Sequence, residues 1–437
     1  MNPKIGLRRE DKNPWERRVP LIPSHIRELR AERGQEFVVQ PSAIRVFRDE
    51  DFLREGARIE EDLSGCQVIF GIKEIPVTLL VQGRTYLIFS HTTKGQKPAM
   101  PLLRRFMELG CTLIDYEKII DEQGRRLLFF GRQAGEAGMI DTLWALGQRL
   151  KLEGLDTPFA RLLQMYHYTN LVEAKEEVIR TAQAIRQKGL PAELVPLVTG
   201  FLGYGHVSQG AQEIYNLLPV TEILPHEFAS FMKRGSFSSH GVYKIVFHEH
   251  HLVRTREAGR LFDLQEYYRH PELYESILEP YLRHLTAVIN GIYWMPRYPH
   301  FISKAAVRRI FEAEARPRLR VIGDISCDVE GGVECTLRAT DSENPVYVYD
   351  PFGDEARTGF EGRGPVVMAV DNLPAEIALE SSIFFSQALK PFVPALAGAD
   401  YGRPFDALGL PESILRAVVV HRGELAPSYA YLKEFLQ

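Results

Sequence analysis

The sequence predicts an α/β protein of two domains, each built on a doubly wound, mainly parallel sheet, with the active site in the cleft between them. Three observations predict it. Strand-like and helix-like segments alternate through most of the 437 residues, which is the order a parallel sheet requires. A glycine-rich turn sits mid-chain between an apolar run and a stretch of helical periodicity, so other structure must fill both ends. Polar strand ends and arginine clusters precede residue 130, whereas a long helix-like stripe (Met139, Leu143, Leu146, Leu150) follows it. The most economical division inserts residues 131–377 into a second domain made of residues 1–130 and 378–437, which C-terminal helices complete.

The central stretch, 195–216, reads V-P-L-V-T-G-F-L-G-Y-G-H-V-S-Q-G-A-Q-E-I-Y-N. Val195 to Thr199 is the strand, the glycines at 200, 203, 205 and 210 make the turn, and Val207, Ala211, Ile214 and Leu218 recur at helical spacing. Backbone N–H groups at such a helix start, aided by the helix dipole, can hold a dinucleotide pyrophosphate without a cationic side chain. The match to G-x-G-x-x-G is imperfect. Gly203, Gly205 and Gly210 are spaced G-x-G-x-x-x-x-G, and Phe201-Leu202 separate Gly200 from Gly203, so a plain glycine-rich connection stays open beside a cofactor turn. Val220 to Leu224 is expected to supply the next strand. It runs into Pro225-His226-Glu227 with no aspartate at its end, and Lys233 and Arg234 follow. NADP(H) is therefore favoured over NAD(H), with both open.

At 45% hydrophobic and 25% charged residues with net charge −4, the chain has no general attraction for nucleic acid or for an anionic membrane. Cys66, Cys111, Cys327 and Cys335 are widely spaced and form no C-x-x-C pair, so they read as thiols in a reducing compartment. The N-terminus lacks an apolar leader and no run approaches ~18 apolar residues, so a cytoplasmic location is expected. The segment F-H-E-H-H-L (247–252) matches no metal-ligand spacing, and strand alternation would put His250 and His251 on opposite faces. No metal is expected.

In chain order, Lys4 to Leu7 is a strand, and Val19 to Arg33 a helix with Ser24 as N-cap. Phe37 to Gln40, Val68 to Ile72, Tyr86 to Phe89 and Thr112 to Asp115 are strands, with a helix at Met100 to Leu109. Parallel sheets carry ligand sites at the carboxyl ends of their strands. That rule gathers Lys73-Glu74, Ser90-His91 and Asp115 to Glu117 at one rim. Arg8, Arg9, Lys12, Arg17 and Arg18 follow the first strand, and Arg125 and Arg126 close the turn D-E-Q-G-R-R; guanidinium groups so placed can anchor a polycarboxylate. Farther on, Gly135 to Lys151 and Leu171 to Lys188 are helices, and Leu285 to Tyr293, Arg320 to Cys327 and Val366 to Val370 are strands. The last expected helices are Ser381 to Leu389, Pro411 to Leu415 and Ser428 to Phe435.

Seven segments carry a family resemblance: R-E-D-K-N-P-W-E-R-R-V-P-L (9–21), G-I-K-E-I-P (71–76), F-S-H-T-T-K-G-Q (89–96), L-I-D-Y-E-K-I-I-D-E-Q-G-R-R (113–126), G-Y-G-H-V-S-Q-G-A-Q-E-I (203–214), I-N-G-I-Y-W (289–294) and V-D-N-L-P-A (370–375). In these the chain resembles the lysine-ketoglutarate reductase region of aminoadipic semialdehyde synthase. More distantly it is similar to lysine-forming saccharopine dehydrogenase and alanine dehydrogenase, enzymes with two Rossmann-like domains. The resemblance implies reductive condensation of L-lysine with 2-oxoglutarate to saccharopine by NAD(P)H, without a metal, with Lys73 and His91 as the acid–base pair. It implies substrate contacts at Arg18, Glu74, Lys94, Gln96, Glu117, Arg126 and Phe130. Cofactor contacts are implied at Arg125, Gly203, Tyr204, Gly205, His206, Val207, His226, Tyr293, Asp371, Asn372, Leu373 and Pro374. Bifunctional relatives carry a saccharopine-oxidising region after this one, so the chain is expected to perform only the first step; a separate saccharopine-oxidising enzyme and a homo-oligomer both stay open. Two alternatives keep the same scaffold: another amino-acid or opine-type dehydrogenase, and a non-catalytic nucleotide sensor.

Overall fold

The computed structural model describes residues 4–436. The chain divides into two compact units, one formed up to Phe130 and again from Ala378 onward, the other by Gly131–Ile377. Along it run β1 (Lys4–Leu7), β2 (Glu36–Val39), β3 (Arg58–Ile59), β4 (Val68–Phe70), β5 (Thr85–Ile88) and β6 (Thr112–Asp115) in the first unit. The second unit supplies β7 (Val198–Leu202), β8 (Val220–Glu222), β9 (Val242–Phe247), β10 (Val253–Thr255), β11 (Tyr274–Ser276), β12 (Ala287–Asn290), β13 (Val321–Asp324), β14 (Val346–Asp350), β15 (Glu355–Thr358) and β16 (Val366–Met368). Back in the first unit come β17 (Val418–His421) and β18 (Glu424–Leu425).

The first unit's eight-stranded sheet has the order β18-β17-β6-β5-β4-β1-β2-β3. Strands β1 to β6 are parallel, and β17 and β18 are added antiparallel. Leu102, Leu103 and Phe106 of the helix Met100–Glu108 fall on one face and are buried. Phe106 meets Tyr86 of β5 edge-on, with ring centroids 5.5 Å apart; burial of a side chain this size is worth roughly 1.5–3 kcal/mol. The first helix begins at Pro23, not Val19, and Ser24 does not cap it. Proline takes the first helical position, where its fixed φ suits and its missing N–H costs nothing, and the N-cap is Ile22. The preceding turn is instead held by Ser382 and Ser386, whose Oγ atoms accept the N–H groups of Val19 and Ile22 at 3.0 Å each. Helices alone do not complete this unit: V-V-V-H-R-G-E-L forms the β17–β18 hairpin, turned at Arg422 and Gly423 with φ of 51° and 86°. The final segment, Pro427–Phe435, is a 3-10 helix.

The second unit's sheet has the order β15-β14-β16-β13-β12-β7-β9-β8. Six strands, β16 through β8 in that order, are parallel, and β14 and β15 form an antiparallel edge that the sequence reading missed. Strand β7 starts at Val198 and runs to Leu202, so Gly200, Phe201 and Leu202 belong to the strand and do not interrupt the turn. A second correction matters more. The neighbour of β7 is β9, and β8 lies one place farther out at the sheet edge. Composition explains the choice. Val242, Ile245 and Phe247 of β9 are fully buried, as an interior parallel strand requires, whereas Thr221 and Glu222 of the short β8 are exposed.

The long helix Gly131–Leu152 is buried along most of its length and lies backbone-to-backbone against the helix His206–Tyr215. A Cβ on Gly210 would stand 2.1 Å from the Arg132 carbonyl oxygen, and one on Gly135 would stand 1.9 Å from that of Val207. Among the described residues, no helix is long and apolar enough to cross a membrane.

Candidate active site

In the first unit, β1, β4, β5 and β6 are adjacent and parallel, so their carboxyl ends share one rim. The loops leaving them bring Glu10, Lys73, Glu74, His91 and Glu117 together through a connected set of bonds. Glu74 lies at the centre. Its Oε1 is 2.5 Å from His91 Nδ1 and its Oε2 accepts from Lys12 Nζ at 2.9 Å. Burial pushes the Glu74 carboxyl up, but His91 and Lys12 outweigh it and hold the group at about 2, fully ionised at neutral pH. A carboxylate only accepts, so His91 Nδ1 must be the donor, and in the neutral ring Nε2 is left as an acceptor. His91 adopts φ 53°, a left-handed conformation uncommon outside glycine. The flanking Ser90 is tied to the buried Asp115, its hydroxyl 2.5 Å from Oδ2, while Oδ1 accepts the Glu117 N–H at 2.8 Å. One carboxylate therefore fixes both loops.

Lys73 is half-buried, and its backbone is held by a residue that sequence reading passed over. Glu10, itself buried, accepts the N–H of Ile72 at 2.7 Å and that of Lys73 at 3.0 Å. Burial, and then the neighbouring Glu16 charge, raise the Glu10 carboxyl to about 7 against the opposing pull of those bonds and of Arg8. The folded state thus binds this proton more tightly than the unfolded chain. The stability that this group contributes is fully present below ~4.5 and is lost as pH rises through about 7. Urea unfolding of wild type and Glu10→Gln between about pH 5 and 8 is expected to show a flatter pH dependence in the variant; parallel curves would sink this assignment.

The expected anchors are all on this unit. Arg18 is buried and bound bidentately by Glu16, Nε to Oε1 at 2.8 Å and Nη2 to Oε2 at 2.6 Å, with its guanidinium 4.3 Å from the Phe130 ring centroid. Any further carboxylate brought to Arg18 would share the guanidinium with Glu16. Phe130 itself stacks on Phe385 at 4.9 Å. Arg126 reaches Glu117 at 2.5 Å, while Arg125 turns back to Asp121 at 2.7 Å. Lys94 and Gln96 are exposed in the loop after His91.

In the second unit, Gly203 has φ 87° and donates its N–H to the Phe247 carbonyl at 2.9 Å, and Gly205 is the N-cap of the helix His206–Tyr215 with no side-chain cap. Nothing lies within 4 Å of a Cβ built on Gly205. A pyrophosphate fits this open, uncapped helix start. Val207 packs beneath Gly291, and Tyr293 is exposed. Asp371-Asn372 lead into the helix Leu373–Glu376, which includes Pro374. At the ends of β12 and β13, buried Asn290 donates to Asp324 at 2.9 Å, a pair that spacing alone did not single out. His226 follows the edge strand β8, so the inference of NADP(H) from that strand end loses its footing. His248 and Glu249 flank the glycine turn instead. His250 and His251 occupy one helical turn with rings 3.8 Å apart, not opposite strand faces. Among the described residues no group of side chains has the arrangement to hold a metal ion.

Two eight-stranded, mainly parallel sheets with this strand-end rim and glycine turn define an alanine dehydrogenase-like two-domain fold. A solved L-alanine dehydrogenase shares it with a TM-score of 0.64 at 19% identity, over 99% of this chain and 100% of that one. Residues 6–137 match the family model described as alanine dehydrogenase/PNT, N-terminal domain. The chain is homologous to α-aminoadipic semialdehyde synthase of Arabidopsis thaliana, 37% identical over 99% of this chain and 41% of that protein. It is also homologous to saccharopine dehydrogenase [NAD(+), L-lysine-forming] of Emericella nidulans, 27% identical over 89% of this chain and 90% of that one. The chain thus spans less than half the length of the plant synthase.

Proposed function

We propose that the chain is a pyridine-nucleotide-dependent oxidoreductase of lysine metabolism that condenses L-lysine with 2-oxoglutarate and reduces the product to saccharopine. In this reading the first unit supplies substrate binding and acid–base chemistry, and the second holds the nucleotide. The observation that carries it is the Glu74–His91 pair, with Lys12 on the far carboxylate oxygen and Lys73 in the adjoining loop. Forming saccharopine requires the lysine ε-amine to attack the ketone, the resulting carbinolamine to lose water, and the imine carbon to accept a hydride. NAD(P)H supplies that hydride when bound.

Proton movements fall to this chain's residues. His91, oriented through Nδ1 by Glu74, uses the free Nε2 to take the proton that the attacking amine loses and, as imidazolium, returns it to the departing hydroxyl, which leaves as water. Lys73, anchored through its backbone by Glu10, exchanges a proton with the substrate amine. Arg18 and Arg126, each already beside a carboxylate of the chain, orient the oxoglutarate carboxylates, and orientation of this kind is worth several kcal/mol. Free thiols at all four cysteines suit a reducing compartment such as the cytoplasm.

The test is nucleotide oxidation followed by absorbance, with 2-oxoglutarate and a panel of amines that includes L-lysine, ornithine and ammonia. Turnover is expected only when lysine and 2-oxoglutarate are both present. Turnover with ammonia in place of lysine would move the chain to an amino-acid dehydrogenase, and nucleotide binding without turnover on any amine would make it a sensor.

A further inference from the structure

The pairing of β9 with β7 changes which residues meet a bound nucleotide. The two strands are in register from Val198↔Tyr243 to Leu202↔Phe247, and the Gly203 N–H extends the ladder to the Phe247 carbonyl. Whatever follows Phe247 therefore borders the glycine turn. In a doubly wound sheet that holds a pyrophosphate at the turn after one strand, the adenosine ribose lies over the end of the adjacent strand; an acidic residue there takes the ribose hydroxyls, and a cation there takes a 2′-phosphate. We propose that Glu249 is the residue that selects the nucleotide, binding the ribose hydroxyls of NAD(H) and rejecting the 2′-phosphate of NADP(H).

The side chains around Glu249 support the assignment, which rests on the reading that the second unit binds the nucleotide. Tyr204, from the turn itself, stacks on His248 with centroids 4.2 Å apart and an interplanar angle of 14°, and its hydroxyl reaches Glu249 Oε1 at 3.3 Å. The Tyr268 hydroxyl donates to the same oxygen at 2.8 Å. Two tyrosines thus orient the carboxylate from one side, and Oε2 takes no hydrogen bond among the described residues. A phosphate dianion brought here meets a fixed carboxylate. Among the described residues, the counter-charge available from the same turn is imidazole only. His251 accepts the His248 N–H at Nδ1 and is pushed down to about 4 by burial and by the neighbouring His250, His248 and His226, so it is neutral at physiological pH. Arg254, the first cation after β9, is bound to Glu275 at 2.8 Å. Lys233 and Arg234 follow the edge strand β8, one strand farther from the turn.

The test is direct binding of NADH and of NADPH, by calorimetry and nicotinamide fluorescence without any substrate, to wild type, Glu249→Gln and Glu249→Arg. Wild type is expected to bind NADH at least about tenfold more tightly than NADPH, the margin one charge-assisted hydrogen bond provides. Glu249→Gln should bring the ratio close to one and Glu249→Arg should invert it. NADPH binding as tightly as NADH in wild type, or a ratio unchanged in the conservative Glu249→Gln, overturns the assignment while leaving the nucleotide-binding reading intact. Failure of wild type to bind either nucleotide overturns both.

Discussion

Replacing His91 by alanine is expected to lower kcat for saccharopine formation by about 10²–10⁴-fold, the range general acid–base catalysis supplies, and to leave nucleotide binding unchanged. Among the described residues of the rim, His91 is the one imidazole held at Nδ1 by a carboxylate, so no neighbour substitutes for it. Alanine at φ 53° adds a backbone cost that asparagine does not, because asparagine tolerates left-handed conformations. Steady-state rates of His91→Ala and His91→Asn, each paired with a nucleotide titration, separate chemistry from folding. An equal loss in both variants with intact binding is the expected result. A rate close to wild type in His91→Asn would remove the acid–base role from this residue.

Gly210→Ala is expected to destabilise the protein by about 3 kcal/mol or more, the upper end for overpacking. Its Cβ would meet a backbone carbonyl at 2.1 Å, and neither helix can move aside without opening the buried face of Gly131–Leu152. For a unit this size the loss corresponds to a fall in Tm of about 6–12 °C. Gly205→Ala provides the contrast. Its φ of −72° is ordinary and the space beyond it is open, so the same methyl should leave Tm unchanged and weaken nucleotide binding instead. Calorimetric unfolding scans of both variants decide the point, and equal Tm values would show that Gly210 does not set the helix spacing.

The rim of the first unit was legible because it needs only local signals. Alternating strands and helices imply a parallel sheet, and in such a sheet the residue after each strand has one place to go; Lys73, His91 and Glu117 follow from that rule. The strand beside β7 was not legible, because order within a sheet depends on pairing across long separations. Val220–Glu222 comes next in sequence, but β9 is the strand apolar enough for the interior. Ser24 failed as a cap because Pro23 claimed the first helical position. Glu10 and Glu16 carried no signal of burial, since an acidic residue among arginines reads as surface until the tertiary contacts exist. The β17–β18 hairpin was announced by an Arg-Gly turn after an apolar run, and that signal was overlooked.

The sheet partner of β6 is β17, roughly 300 residues farther along the chain. At synthesis rates of about 5–20 residues per second, the edge of β6 waits on the order of 15–60 s on the ribosome before its neighbour exists. During that interval β1 to β6 present an open, apolar strand edge, the kind that pairs with other chains, whereas the contiguous second unit pairs its strands over shorter separations. Production of this protein should therefore be limited by how well the nascent first unit is shielded, and chain fragments that stop before β17 should collect as aggregates.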